Sequence, residues 1–420
     1  MNVVAPRVLR ASDALMEIPR CRCCEGSALK PVFDLGSMPA SDGFTASADE
    51  PDPAWPLEVV VCEDCGLAQL RHTVSPEVLF SPNYRYFSSF TQTVVDNARE
   101  NVEQAIARFC PAPGSLVVEL ASNDGYLLKH AMAQGLRVLG IDPSPLPVEA
   151  ARAAGVDTML AFFTDELARE LAAGGLKATL LFGSNVLAHV ADTRGFVRGI
   201  RRILAQDGTA IIEVPYLRDL VQHVEFDTIY HEHLCYFSLT ALSSLFEREG
   251  LSLNDAERIA IHGGSVRLFV QHHAAPSERL LRLMREERET GLDGPAAFLA
   301  LSERVAQVGR DLRKLLDSLK AEGARIAGYG AAAKGTILLN HFGIGPADLM
   351  WIADRNTHKH GLYVPGVKIP VVPVDRITDD RPTHLLILPW NHRHEIMRQQ
   401  GGFAAGGGRF IIPIPAPALI

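Results

Sequence analysis

The 420-residue chain is more notable at first for what it lacks. Nowhere do roughly 18 apolar residues run together, which excludes a helix spanning a membrane. The first twenty residues hold no unbroken apolar stretch of the signal-peptide kind, so a cytoplasmic location is expected. Positive charge is not in excess: 41 Lys and Arg stand against 49 Asp and Glu, a net charge of -8. There is no Arg/Lys stripe interleaved with aromatics, which argues against a chain that neutralises many phosphates of DNA or RNA. A single nucleotide-sized ligand remains compatible. No repeat of 20–50 residues is visible, which excludes a solenoid. Cysteines are few and odd in number, seven, and five of them cluster as Cys21-Arg-Cys23-Cys24 and Cys62-Glu-Asp-Cys65. That pairing by spacing favours a metal over disulfides.

What is present suits a multidomain globular protein. Hydrophobic residues make up 47% and charged residues 21%, and the length exceeds the roughly 250–300 residues at which one core stops growing. Three stretches differ in character. Residues 1–85 are rich in Pro, Gly and Asp, with one strand-like run at Leu57–Cys62, too little apolar surface to fold well alone. Residues 86–253 alternate strand and helix patterns, with strands expected at Ser115–Glu119, Arg137–Asp142, Ala178–Phe182 and Thr209–Glu213; such alternation builds a parallel sheet. Residues 254–420 begin with charge-laced helix from Ser277 to Ala321. They then repeat the strand–glycine–helix theme, with strands expected at Arg325–Gly330, Leu349–Asp354 and His384–Leu388. The fold class expected is α/β: an N-terminal metal-binding module, a central Rossmann-like domain and a second Rossmann-like domain.

Cys21-x-x-Cys24 and Cys62-x-x-Cys65 present four thiolates in two knuckles, as tetrahedral zinc requires. Four sulfur ligands close the shell, so the site is structural; Cys23 is expected to be a spectator. A redox Cys-x-x-Cys is the competing reading, without the βαβ context it normally has.

The turn Glu119-Leu-Ala-Ser-Asn-Asp-Gly125 follows a strand and precedes a helix. It would aim backbone N–H groups and a helix N-terminus at a ligand carboxylate or phosphate. Asp142 ends the next strand, where a ribose diol is hydrogen-bonded. On glycine pattern alone the signal is weak, because Ala121 and Asn123 stand where such loops often carry glycine. In the last stretch, Gly328-x-Gly330 followed by Lys334 suits a pyrophosphate, with Asp354 again at the end of the next strand. An ordinary structural turn is the alternative for each loop.

These motifs occur in a particular order: the cysteine knuckles, Glu119 to Gly125, Gly140-Ile-Asp-Pro-Ser144, Phe182-Gly-Ser-Asn-Val-Leu-Ala-His189 and Tyr230-His-Glu-His-Leu-Cys-Tyr-Phe-Ser238. His262-Gly-Gly-Ser-Val-Arg267, Gly328 to Gly335 and Pro389-Trp-Asn-His392 follow. The series resembles the sugar C-methyltransferases that act on nucleotide-linked 4-keto-deoxysugars, from residue 21 to about 415. Its one departure is Ala121, where that family usually has glycine. The resemblance implies that Glu119, Ala121, Asn123, Gly125, Asp142, Phe162, Phe163 and Asn185 surround S-adenosylmethionine. It assigns His233 as the base that removes a C3 proton, with Tyr230, Glu232, Tyr84 and His189 nearby. It also supports placing the substrate's nucleotide against Gly328, Gly330, Lys334, Asp354, His262, Arg267 and Asn391. Removing a proton α to a carbonyl suits a histidine, whose ordinary pKa lies near working pH. One division of labour has Glu232 polarising a neighbour while Tyr84 or Tyr230 donates to the developing oxyanion.

Rival readings remain at this stage. The two histidines flanking Glu232 could bind a metal with His223, the methyl acceptor could be oxygen or nitrogen, or the chain could be a zinc-ribbon RNA methyltransferase or a scaffold that no longer binds cofactor. The partner expected is a small-molecule nucleotide sugar, with neither nucleic acid nor membrane, and the chain is expected to be a monomer or weak homodimer.

Overall fold

The computed structural model describes residues 14–79, 87–292 and 294–420. Tyr84, expected at the site, lies outside the described residues.

The N-terminal module is a four-stranded antiparallel sheet whose backbone is the long pairing of Leu29–Pro39 with Ala54–Cys62, flanked by Ala68–Leu70. The sequence pattern marked only Leu57–Cys62. Its partner was hidden because the register shifts between Pro31 and Phe33 and again between Asp34 and Ser37, so inward and outward positions do not alternate along it. The fourth strand, Cys235–Tyr236, comes from the central stretch of the chain. The module therefore completes its sheet with borrowed backbone.

The central sheet has seven strands. Thr158–Leu160, Arg137–Asp142, Leu116–Leu120, Ala178–Ser184 and Leu204–Pro215 run parallel in that spatial order. Val117, Val118, Leu120, Leu181, Phe182, Ile211 and Ile212 are fully buried among them, in the near-continuous apolar runs that a sheet covered on both faces demands. The sheet is finished by an antiparallel hairpin, Ser265–Gln271 beside Leu204–Pro215 and Ser252–Ile259 beyond it. The expected domain break at 253 falls inside Ser252–Ile259, and the central unit runs on to Gln271. A hairpin carries no crossover helix, so the βαβ pattern that marked the rest of the domain is silent there.

The C-terminal sheet has the order Val371–Pro373, Ile352–Asp354, Ile326–Tyr329, His384–Ile387, Arg409–Ile412 and Ala418–Leu419, parallel except for the last. The helical stretch expected from Ser277 to Ala321 is two helices, Glu278–Glu289 and Pro295–Ala321. In both α/β units the chain reverses direction of winding beside the first strand, Leu116–Leu120 in one and Ile326–Tyr329 in the other. That switch point opens a crevice at the carboxyl ends of the strands, and the two crevices face a common cleft. Among the described residues, no helix is long and apolar enough to cross a membrane.

Candidate active site and metal centre

The four cysteines meet. The sulfurs of Cys21, Cys24, Cys62 and Cys65 all lie within 4.8 Å of one another, with Cys21 and Cys65 at 3.6 Å and Cys24 and Cys62 at 3.5 Å. Four thiolates at about 2.3 Å from a zinc ion stand at nearly these separations. Backbone N–H groups of Cys23 and Gly26 point at the Cys21 and Cys24 sulfurs, and the Gln69 amide donates to Cys21 at 3.2 Å. Such donors hold thiolate ligands in place. A Cβ at Gly26 would sit 2.0 Å from the Asp64 carboxylate and 3.2 Å from the Cys24 sulfur, so any larger residue would displace the Asp64 side chain. Neighbouring sulfur and burial hold the Cys21 thiol far above its ordinary range, and burial first of all pushes Cys62 up to about 11. A divalent cation would remove the protons outright, so the residues fit zinc. Cys23 is buried, with its sulfur 3.9 Å from the Ala241 carbonyl.

At the first glycine loop the backbone takes three left-handed steps: Ala121 at φ 56°, Asn123 at 49° and Gly125 at 75°. This explains why glycine is usual at the first of them; an L residue in that region costs about 1–2 kcal/mol. The loop is held by Asp142, whose two oxygens accept from the N–H of Asn123 at 2.9 Å and of Ser144 at 2.8 Å. Ala121, Asn123, Asp142, Phe162, Phe163 and Asn185 all line a cleft of about 730 Å³. Phe162 is 56% exposed, whereas Phe163 packs edge-on against Phe196. Glu119 and Gly125 stand behind the wall. Glu119 is fully buried, and desolvation first, with Asp142, Asp124 and Glu213 beside it, raises its pKa well above the ordinary carboxylate range. Gly125 is packed so closely on Val156 that a Cβ would lie at 2.9 Å. Asn185, also left-handed, donates its N–H to the Glu213 carbonyl. Its side-chain oxygen is buried without a hydrogen-bond partner. An ammonium group is the complement it lacks, so the loop fits the methionine end of S-adenosylmethionine.

The same cleft is walled by His189, Tyr230, Glu232 and His233. His233 Nδ1 lies 2.8 Å from the Thr228 carbonyl, which can only accept, so the proton sits on Nδ1. Nε2 is then the acceptor and takes the Tyr230 hydroxyl at 2.9 Å, the two rings being stacked. Burial, with His189 alongside, holds the His233 pKa well below its ordinary value. His189 is held at about 4 by burial and meets His233 edge-on at 4.7 Å. Glu232 is pushed up to about 8, by burial first and by the charge of Asp42 second. It is a neutral acid at pH 7. His231, by contrast, turns away to the Trp55 carbonyl of the N-terminal module, and His223 pairs with Glu225. Among the described residues the only group placed to hold a metal ion is the cysteine cluster, so the histidine metal site is not formed.

The second glycine loop repeats the first. Asp354 accepts from the N–H groups of Ala331 and Asn356, both at 2.6 Å, in the manner of Asp142. Gly330, at φ 85°, abuts Pro389, whose ring would be 2.5 Å from a Cβ. Gly330, Lys334, Asp354, His262 and Asn391 line the cleft. Lys334 lies over the Trp390 ring and donates to the His262 carbonyl at 2.9 Å. Gly328 is within the strand, where a Cβ would meet Ile352 at 2.7 Å; its role is sheet packing. Arg267 is a correction. It lies opposite Glu213 across two antiparallel strands, buried, with Nε 2.7 Å from the carboxylate and its other nitrogens on Gln104 and Asn97. It holds the central sheet together rather than touching substrate.

Sequence reasoning missed Arg355, Lys359, Ser41 and Asp42. Arg355 and Lys359 follow Asp354 in the loop after the second strand, the position of ligand-binding turns, and that offset was the available signal. Ser41 and Asp42 carried none.

Family models match three stretches: a candidate zinc binding domain at 21–80, a methyltransferase domain at 94–255 and a C-methyltransferase C-terminal domain at 260–415. The chain is 35% identical over 413 residues to C-methyltransferase NovU of Streptomyces niveus, covering 97% of this chain and 98% of that protein. Among solved structures, a chain of the complex between the Haloferax volcanii Trm112 methyltransferase activator and its candidate methyltransferase is 20% identical, covering 44% of this chain and 93% of the other at a TM-score of 0.35. The magnesium protoporphyrin IX methyltransferase of Synechocystis is 17% identical, covering 42% and 81% at a TM-score of 0.33.

Proposed function

Since the chain belongs to the S-adenosylmethionine-dependent C-methyltransferases, we propose that it methylates C3 of a nucleotide-linked 4-keto-deoxysugar. The observation that carries this reading is the neutral His233, locked as a proton acceptor on the wall of a cleft shared by two glycine loops. Carbon becomes a nucleophile only after a C–H bond is broken, and a 4-keto group makes the C3 proton removable. The Tyr230 hydroxyl and His233 Nε2 form one hydrogen-bonded unit that takes that proton. Glu232, protonated at neutral pH, donates a hydrogen bond to the ketone oxygen as it gains charge. The sugar's pyrophosphate lies against the second loop, where Lys334, Lys359 and Arg355 supply positive charge to the cleft. S-adenosylmethionine, when bound, supplies an electrophilic methyl group; Asn185 receives its ammonium and Asp142 its ribose.

The test is deuterium wash-in at C3 of a panel of nucleotide 4-keto-deoxysugars in D2O, read by NMR, followed by mass analysis of the methylated product. His233→Asn should lower exchange by at least about 100-fold, the low end of what a general base contributes, while calorimetry shows cofactor binding unchanged. Methylation without exchange would point instead to an oxygen or nitrogen acceptor.

A further inference from the structure

The N-terminal module reaches into the active site. After strand Leu29–Pro39 the chain turns through Ser41, which is fully buried. Its hydroxyl donates to Glu232 Oε1 at 3.0 Å, while its carbonyl accepts from the Thr336 hydroxyl of the C-terminal unit at 2.9 Å. The next residue, Asp42, lines the cleft and pairs with Lys359, whose ammonium also reaches the Ala331 carbonyl in the second glycine loop. One short loop thus ties together all three units at Glu232.

We propose that Ser41 is a positioning residue: by donating to Oε1 it confines the Glu232 proton to Oε2, the buried oxygen without a protein partner, and so aims a neutral acid at the substrate oxygen. This rests on the role given to Glu232 above. A carboxylic acid free to turn presents its proton on either oxygen. Here Oε1 already accepts from a donor, and Thr336 anchors that donor's backbone from the opposite domain. Around the carboxyl, Asp42 resists its ionisation, Ser41 favours it, and burial resists it most. Tyr236, buried nearby, is held in its neutral form, and the neutral His189 bonds to the Glu232 backbone.

The two loop residues therefore push Glu232 in opposite directions, and that gives the test. In the zinc-loaded full chain, infrared difference spectra should show the carbonyl stretch of a protonated carboxyl that disappears near pH 8 and is absent in Glu232→Gln. Ser41→Ala should move that titration, and the alkaline limb of the kcat profile, to higher pH. It should also lower kcat at neutral pH by about tenfold, one hydrogen bond's worth, with KM within about twofold; Ser41→Thr restores all three. Asp42→Asn should move the same titration to lower pH. Thr336→Val should act in the direction of Ser41→Ala but more weakly, and with Asp42→Asn it carries the test should Ser41→Ala not fold. A titration indifferent to these substitutions, or moved the other way, overturns the proposal. A titration that moves as expected in a protein that exchanges no C3 hydrogen would leave it standing and sink the substrate assignment instead.

Discussion

Replacing Arg267 by alanine distinguishes a sheet-stabilising guanidinium from a substrate-binding one. Arg267 and Glu213 are 4% and 1% exposed in their side chains, and Glu213 also accepts from Asn97 at 3.1 Å and Asn101 at 2.9 Å. Removing one partner of a buried pair costs about 3–5 kcal/mol because the other charge is stranded. The two amides that remain on Glu213 hold the loss near the lower figure. At about 2–4 °C per kcal/mol for a unit of this size, Tm should fall by roughly 6–12 °C. Calorimetry or circular dichroism reads this, and steady-state kinetics on the residual folded enzyme should give a KM for the proposed nucleotide-sugar substrate within about twofold of the parent. The double variant Arg267→Met with Glu213→Gln should recover most of the loss, since no charge is then left buried. A Tm within about 2 °C of the parent, accompanied by a KM raised tenfold or more, would refute the reasoning and return Arg267 to the substrate site.

Other outcomes follow from the same structure. Cys24→Ser should abolish binding of one zinc equivalent, measured by metal analysis, and unfold the N-terminal sheet, because the binding energy of a structural zinc is folding energy. Asp354→Ala should free the N–H groups of Ala331 and Asn356, raising KM for the proposed nucleotide-sugar substrate while leaving the calorimetric affinity for S-adenosylmethionine unchanged. An equal loss of both would show that the second loop does not act separately. Acid should destabilise the fold early: burial holds His189 and His231 at about 4 and His262 at about 3. The unfolded chain takes up protons near pH 6.5, so the stability these groups contribute is intact above that value and is lost as pH falls through about 4. Each accounts for on the order of 1–3 kcal/mol, and denaturant midpoints between pH 7 and 4 will show it as a steep decline.

How much of this was legible in advance depended on the range of the interaction. The first strand of each α/β unit, the loop after it and the acid ending the next strand lie close in sequence. Each is fixed by local requirements: a two-sided apolar run, a left-handed turn, a carboxylate within reach of two backbone N–H groups. The expected strands at Ser115–Glu119 and Arg325–Gly330 were accordingly found at Leu116–Leu120 and Ile326–Tyr329. The string Tyr230 to His233 was legible as chemistry but not as geometry. Its two histidines are chemically alike, yet His231 faces Trp55 and His233 faces the cleft.

The sequence alone determined the α/β class, the paired cysteine knuckles and the two glycine loops with Asp142 and Asp354. These rest on spacings short enough for the chain itself to enforce. Tertiary structure alone decided that Arg267 belongs to Glu213, that the hairpin from Ser252 to Gln271 joins the central sheet, and that Ser41 meets Glu232. Those pairings join residues far apart in the chain. Nothing in the local pattern of a serine or an arginine names its partner; the packing of three units around one cleft does.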